Sequence, residues 1–218
     1  MCRFSLILLT GSLLFTELNL SVPMAVYAAL GLGGEAGSRK KERQRRGKIL
    51  RPKLCLLLGG VFLANAVGSL LFGGLVKGAL VFEDPLARDR LEAIVRAKID
   101  PFKENGTSGW FSQILSGVLA NFLVGLAAYS GLVARTLPAR VIGAALPVWA
   151  FILLNVAHSP ANMGFFAAAL IDGRIDLEWG EAIWWNVVPA AIGNVVGGGV
   201  LLAGPLFCGH LFLKNKRE

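Results

Sequence analysis

The chain has 218 residues, 55% of them hydrophobic and only 17% charged, where an ordinary soluble domain carries about 25% charge. That composition, with a mean hydropathy of +0.61, excludes a typical water-soluble enzyme and points to a multi-span membrane protein. The formal charge of +8 suggests a nucleic-acid partner at first sight, but the charges lie in a few short segments between long apolar runs, so the surplus is read as membrane topology.

The first apolar run, Phe4–Leu32, contains Glu17, Asn19 and Pro23. A carboxylate facing lipid is expensive, so Glu17 is expected to face a cavity, a partner or the bundle interior, or to lie near an interface, and with Asn19 and Pro23 the span reads as broken. The start can also be read as a cleavable leader, with Cys2-Arg3 as a weak basic region and Phe4–Phe15 as its apolar core. Residues 33–53 follow as a basic loop. Gly33–Ser38 reads as flexible, and Arg39–Lys53 carries nine bases and one acid, the mark of a cytoplasmic segment near anionic head groups.

The second span is Leu54–Phe82. Its Gly59-Gly60, Ala64, Gly68 and Gly73-Gly74 are spaced for close helix packing. Residues 83–109 form an external loop of balanced charge, with six acids and five bases from Glu83 to Glu104. The sequon Asn105-Gly106-Thr107 falls in this loop. The third span is Trp110–Val133, followed by Arg135 and Arg140 on the cytoplasmic side. The fourth, Val141–Leu170, carries Asn155-Val156-Ala157-His158-Ser159-Pro160-Ala161-Asn162 at its middle. Pro160 removes a backbone donor and disfavours helix at Ser159, which predicts a break around His158. Irregular backbone at membrane depth is tolerated only where it lines a cavity or is buried in protein. Two broken spans bearing polar residues point to a transport site near the midplane. The acidic stretch Asp172–Glu181 precedes the last span, Ile183–Leu213, in which Gly193 and Gly197–Gly199 again suit close packing. Trp110, Trp179, Trp184 and Trp185 read as an aromatic belt at the outer ends of spans. The tail Lys214–Glu218 is basic and cytoplasmic.

Five spans put the two termini on opposite sides, although the charges place the C-terminus inside. No disulfide framework or zinc site is expected from three cysteines in apolar spans and two distant histidines. An intramembrane enzyme using His158 with Ser159 is not supported either. Adjacent helical residues point apart, and no Gly-x-Ser-x-Gly or His-Glu-x-x-His motif occurs.

Five stretches in order resemble the formate/nitrite transporter family. Gly11-Ser12-Leu13-Leu14-Phe15-Thr16 is similar to the Leu-Phe-Thr break of its second helix, and Asn65-Ala66-Val67-Gly68 to a stretch of its third. Leu119-Ala120-Asn121-Phe122 resembles the Leu-Ala-Asn of the fourth, and Ala157–Met163 the His-Ser-Ile-Ala-Asn-Met of the fifth. Asn186–Gly198 resembles the Asn-Leu-Ile-Pro-Val-Thr-Ile-Gly-Asn-Ile-Ile-Gly-Gly of the sixth.

The resemblance implies an all-α membrane protein with an aquaporin-like helical bundle and two broken helices, forming one transmembrane domain over residues 1–218. Five of the family's six spans are expected here, the first being absent. The resemblance also implies a homo-pentamer with one pore per protomer. That pore would pass small monovalent anions or their weak acids, of the formate, nitrite, lactate or hydrosulfide type, without any cofactor. The membrane would be a plasma or bacterial inner membrane, or an organellar envelope. By the same resemblance His158 is the central pore histidine, Thr16 the hydroxyl opposite it, and Asn121, Asn155 and Asn162 its polar surroundings. Phe151, Val124 and Phe4 are the apolar constriction. The chain departs from the family at Ala157, where several members carry Glu, at Glu17-Leu18, and in its longer basic insertion. A truncated, non-conducting protein or a regulatory subunit is the alternative expectation.

Overall fold

A computed structural model describes the backbone of residues 40–206 and 208, with side chains from residue 59 onward except those of residues 132 and 207. Seven helices follow one another: α1 (Lys40–Gly78), α2 (Pro85–Ala97), α3 (Asp100–Glu104), α4 (Gly106–Val133), α5 (Leu137–Leu153), α6 (Ser159–Asp172) and α7 (Trp179–Leu206), with a 3-10 turn at Val81–Glu83. No strand occurs among the described residues. Three stretches are long and apolar enough to cross a bilayer: Gly59–Gly78, Gly106–Gly131 and Trp179–Leu206. At 1.5 Å per residue each reaches about 30 Å or more. The chain is an all-α integral membrane protein.

Two segments differ from the loops expected of them. The basic segment from Lys40 to Lys53 continues α1 toward the N-terminus, since Lys, Arg, Glu and Gln are good helix formers when their heads stay in water. The segment 83–109 folds into α2 and α3. The Asp84 side chain caps α2 by accepting from the Leu86 N–H at 3.0 Å, with Pro85 in the first turn where no N–H is needed. Leu91 and Val95 fall one turn apart on α2 and are buried. With Phe82 and Ile99 they join Met163, Phe166 and Ala169 of α6 and Val187 of α7 in one apolar cluster. So α2 lies against the membrane helices, not free above them.

The helices pair closely where side chains are small. A Cβ on Gly193 would strike the Ile114 carbonyl, one on Gly197 the Val118 carbonyl, and one on Gly117 the Ala190 carbonyl. Thus α4 and α7 touch backbone to backbone, as small residues permit. On α1 only Gly73 is used in this way, against the Ala167 backbone of α6. Gly59, Gly60, Gly68 and Gly74 meet nothing among the described residues.

Polarity is distributed inside out. Leu63, Val67, Leu71 and Leu75 form an exposed stripe on α1, and Leu137, Val141, Leu146, Trp149 and Leu153 are exposed on α5. The buried set instead includes Lys98, Gln113, Asn121, His158, Ser159, Asn162, Asn186 and Asn194. A water-soluble protein buries such groups sparingly. An apolar outside around amide-rich contacts is what hydrocarbon demands of a bundle.

Candidate functional site: the helix break at His158

The expected break is present. α5 ends at Leu153 and α6 begins at Ser159, so Val141–Leu170 crosses as two half-helices joined by residues 154–158. Pro160 sits in the first turn of α6, where its missing N–H costs nothing. Asn155 turns the chain with φ 47°, a left-handed conformation that Asn tolerates better than most residues.

An interrupted helix leaves backbone donors and acceptors without partners. Side chains of α4 and α7 supply them. The Ala157 N–H donates to Ser116 Oγ at 2.9 Å. The Ser159 N–H donates to Asn194 Oδ1 at 2.9 Å, and Ser159 Oγ donates to the same oxygen at 3.1 Å. Asn194 Nδ2 in turn donates to the carbonyls of Ala157 at 3.0 Å and Gly117 at 2.8 Å. Asn121 Nδ2 donates to the Asn194 carbonyl at 2.5 Å. One asparagine of α7 therefore holds both residues that flank His158. Ser159 Oγ is engaged in this structural role.

Asn194 is itself set by an unusual helix. α7 widens into π turns at Ile183–Val187 and Gly197–Ala203. In the first turn the Val188 N–H bonds the Ile183 carbonyl. Pro189 has no N–H for the next bond, and Trp184 keeps a free carbonyl. Trp110 Nε1 donates to that carbonyl at 3.1 Å. The wide turn absorbs the proline without ending the helix.

His158 is 1% exposed. Phe151, from the last turn of α5, presents its ring edge-to-face at 5.8 Å. His158 Nε2 has no hydrogen-bond partner among the described residues. One helical turn further, Asn162 Nδ2 donates to Asn186 Oδ1 at 2.7 Å, while its own oxygen is unpartnered. Asn186 Nδ2 donates to the Lys98 carbonyl at 2.8 Å, and Gln113 Nε2 approaches the same carbonyl at 3.3 Å. Gln113 Oε1 is also buried and unpartnered.

Lys98 is 6% exposed and belongs to this layer. Burial alone holds its ammonium well below the usual lysine range, at about 8. It lies close enough to His158 for their charges to interact. Beside it, an open depression of about 390 Å³ is lined by Arg96, Asp100, Lys103, Asp176, Glu178, Glu181 and Trp185. Lys103 pairs with Glu181 there at 2.7 Å.

Of the expected site residues, the structure sets Phe151 against the His158 ring and bonds Asn162 to the His158 carbonyl, while Asn121 reaches the break through the Asn194 carbonyl. Val124 is buried on α4, one turn beyond Asn121. Asn155 is exposed and serves the turn. Thr16, Glu17 and Phe4 lie outside the described residues. Lys98, Gln113, Ser116, Asn186 and Asn194 were not legible as site residues. Lys98 counts as one more loop base, but it continues the Leu91–Val95 stripe at helical spacing, and that was its available signal.

The formate/nitrite transporter family profile matches residues 44–208, which include the break, Lys98 and both π turns. The chain belongs to this family. A transporter of unassigned substrate from Bacillus subtilis, YrhG, is 28% identical over 201 residues, covering 90% of this chain and 64% of the relative. A probable formate transporter of Methanothermobacter thermautotrophicus is 28% identical over 151 residues, 67% of this chain and 53% of the relative. The formate channel BtFdhC of Bacillus thuringiensis is 27% identical over 141 residues, 65% of this chain and 47% of the relative. This transporter-family chain spans about half to two thirds of the length of these relatives.

Proposed function

We propose that the chain conducts small monovalent anions, or their conjugate weak acids, across a bilayer past His158, and that it has no enzymatic step. The observation that carries this reading is a buried imidazole with a free Nε2 at the break between two half-helices. A structural histidine would have both ring nitrogens satisfied or solvated. This one sits at the N-terminus of α6, whose dipole favours negative charge. The ammonium of Lys98 draws an anion toward the layer. A bare anion in an apolar constriction such as that at Phe151 costs several kcal/mol or more. A hydrogen bond from His158 Nε2, or transfer of its proton to the substrate, lowers that cost. Asn162 Oδ1 and Gln113 Oε1 accept from the acid form. Formate, nitrite, lactate and hydrosulfide have the size and charge this requires. The family resemblance supports an aquaporin-like protomer in a homo-pentamer, with Thr16 and Phe4 completing the path and residues 40–53 facing the cytoplasm of a plasma or bacterial inner membrane.

The test is uptake of formate, nitrite and lactate by proteoliposomes across a pH series. Wild-type protein is expected to be active and His158→Phe to abolish uptake at equal assembly. His158→Asn is expected to retain part of the rate with an altered pH dependence, because a protonatable ring is replaced by an amide that keeps only its hydrogen bonding. Wild-type rates and profile in both variants would make His158 a packing residue. A fully assembled but inactive wild type would return the chain to the non-conducting alternative.

A further inference from the structure

The depth and direction of the Lys98 side chain need an explanation, because nothing among the described residues pairs its ammonium. An unpaired buried lysine ordinarily swings its flexible stem toward water. The fixed part is the main chain. Lys98 closes α2, where its N–H returns to the carbonyls of Arg96 and Val95. Its own carbonyl, one of the orphans of the helix end, accepts from two side chains of other helices: Gln113 of α4 at 3.3 Å and Asn186 of α7 at 2.8 Å. Both amides are fully buried. Ile99 follows at once and is locked in the apolar cluster. Asn186 is oriented by Asn162, whose own N–H bonds the His158 carbonyl at 2.9 Å. A continuous chain of bonds thus runs from the main chain of His158, through two asparagines, to the main chain of Lys98.

We infer that Gln113 and Asn186 are positioning residues: by clamping the Lys98 carbonyl to α4 and α7 they hold its ammonium inside the polar layer at a set place relative to His158. Neither amide nitrogen needs to touch the substrate to act. The inference concerns where the lysine is held, and its consequence for anion affinity rests on the transport reading above. Losing the clamp lets α2 relax outward and the ammonium reach water, so the layer attracts an anion less strongly while its turnover is little changed.

The test uses the intact protein in proteoliposomes and reads Lys98 directly. Trace labelling with acetic anhydride, followed by mass spectrometry of the Lys98 peptide over pH 7–11, gives the midpoint of its titration, and exposed Lys103 serves as internal reference. Wild type is expected near 8, and Gln113→Met and Asn186→Leu to move the midpoint up toward the ordinary 10.5. Gln113→His, which keeps a ring N–H donor, is expected to stay near wild type. For formate uptake, the half-saturating concentration should rise roughly three- to tenfold in the two shifted variants, the factor one hydrogen bond commands, with maximal rate within about twofold. Size-exclusion profiles and melting temperatures identify folded variants. Folded Gln113→Met and Asn186→Leu with an unmoved midpoint would overturn the inference, as would a His variant shifted as far as Met. A shifted midpoint with an inactive wild type would uphold the positioning and sink the transport reading instead.

Discussion

Two buried polar layers lie within a few turns of each other and are built on opposite terms. Around Asn194 the backbone beside His158 is met by side chains: both side-chain atoms of that asparagine are used twice, and Ser116 accepts from the Ala157 N–H. Among the described residues around Lys98 and His158, three buried atoms, Gln113 Oε1, Asn162 Oδ1 and His158 Nε2, have no protein partner, and the ammonium has no paired carboxylate. Evolution and folding tolerate a buried unsatisfied group only at a cost of about 1–3 kcal/mol each. The first layer contributes to stability. The second lowers it and offers binding capacity in return.

That contrast is broken most severely at Asn194. Asn194→Leu strands the Ser159 N–H and the Ala157 carbonyl and removes the bridge to Gly117, for a loss on the order of 4 kcal/mol, a large share of the stability of a domain. Little monodisperse protein is expected by size exclusion in detergent. Normal assembly of this variant would mean the break holds itself.

Lys98 is the opposite case. Its folded titration lies near 8 and its ordinary one at 10.5. Between those values the unfolded chain binds more protons, so the lysine makes stability rise with pH across that window, and its full penalty is present below pH 8. Lys98→Met removes a penalty of about 3 kcal/mol. The variant is expected to melt higher than wild type at pH 7, with the difference vanishing toward pH 10.5, while formate uptake falls about tenfold or more. A lower melting temperature at pH 7 would show that the lysine stabilises the fold. The smallest effect is expected at Ser116. Ser116→Ala leaves one N–H unmet at Ala157 and should cost about 1 kcal/mol, read as a modest drop in melting temperature with uptake retained.

What the sequence revealed follows from the range of each signal. The break was legible because Pro160 and its polar neighbours act within a few residues. The described spans were legible because hydrocarbon imposes length and composition on each separately. His158 stood out as a polar residue in an apolar run, and Asn121 through the resemblance of Leu119-Ala120-Asn121-Phe122 to the family's fourth helix. Lys98 did not, because its burial is decided by the packing of α2 on α6 and α7, between residues about 70 to 90 positions apart. Asn194 entered only within the Asn186–Gly198 resemblance, and only the fold shows that three of its side-chain bonds reach the residues flanking His158. Asn155 was the reverse: its position beside the histidine suggested the site, but its backbone conformation assigns it to the turn. The continuation of α1 back to Lys40 was hidden because charge reports a solvated segment without distinguishing helix from coil.

The glycine seam between α4 and α7 has a mechanical consequence. Where Gly117, Gly193 and Gly197 bring the two backbones together, there are no side chains to slide or re-pack, and the pair behaves as one stiff beam. Compliance must then reside across the gap, in the five-residue interruption between α5 and α6. Under the proposed transport reading, widening of the path falls on those two short half-helices, with the beam as their fixed bearing.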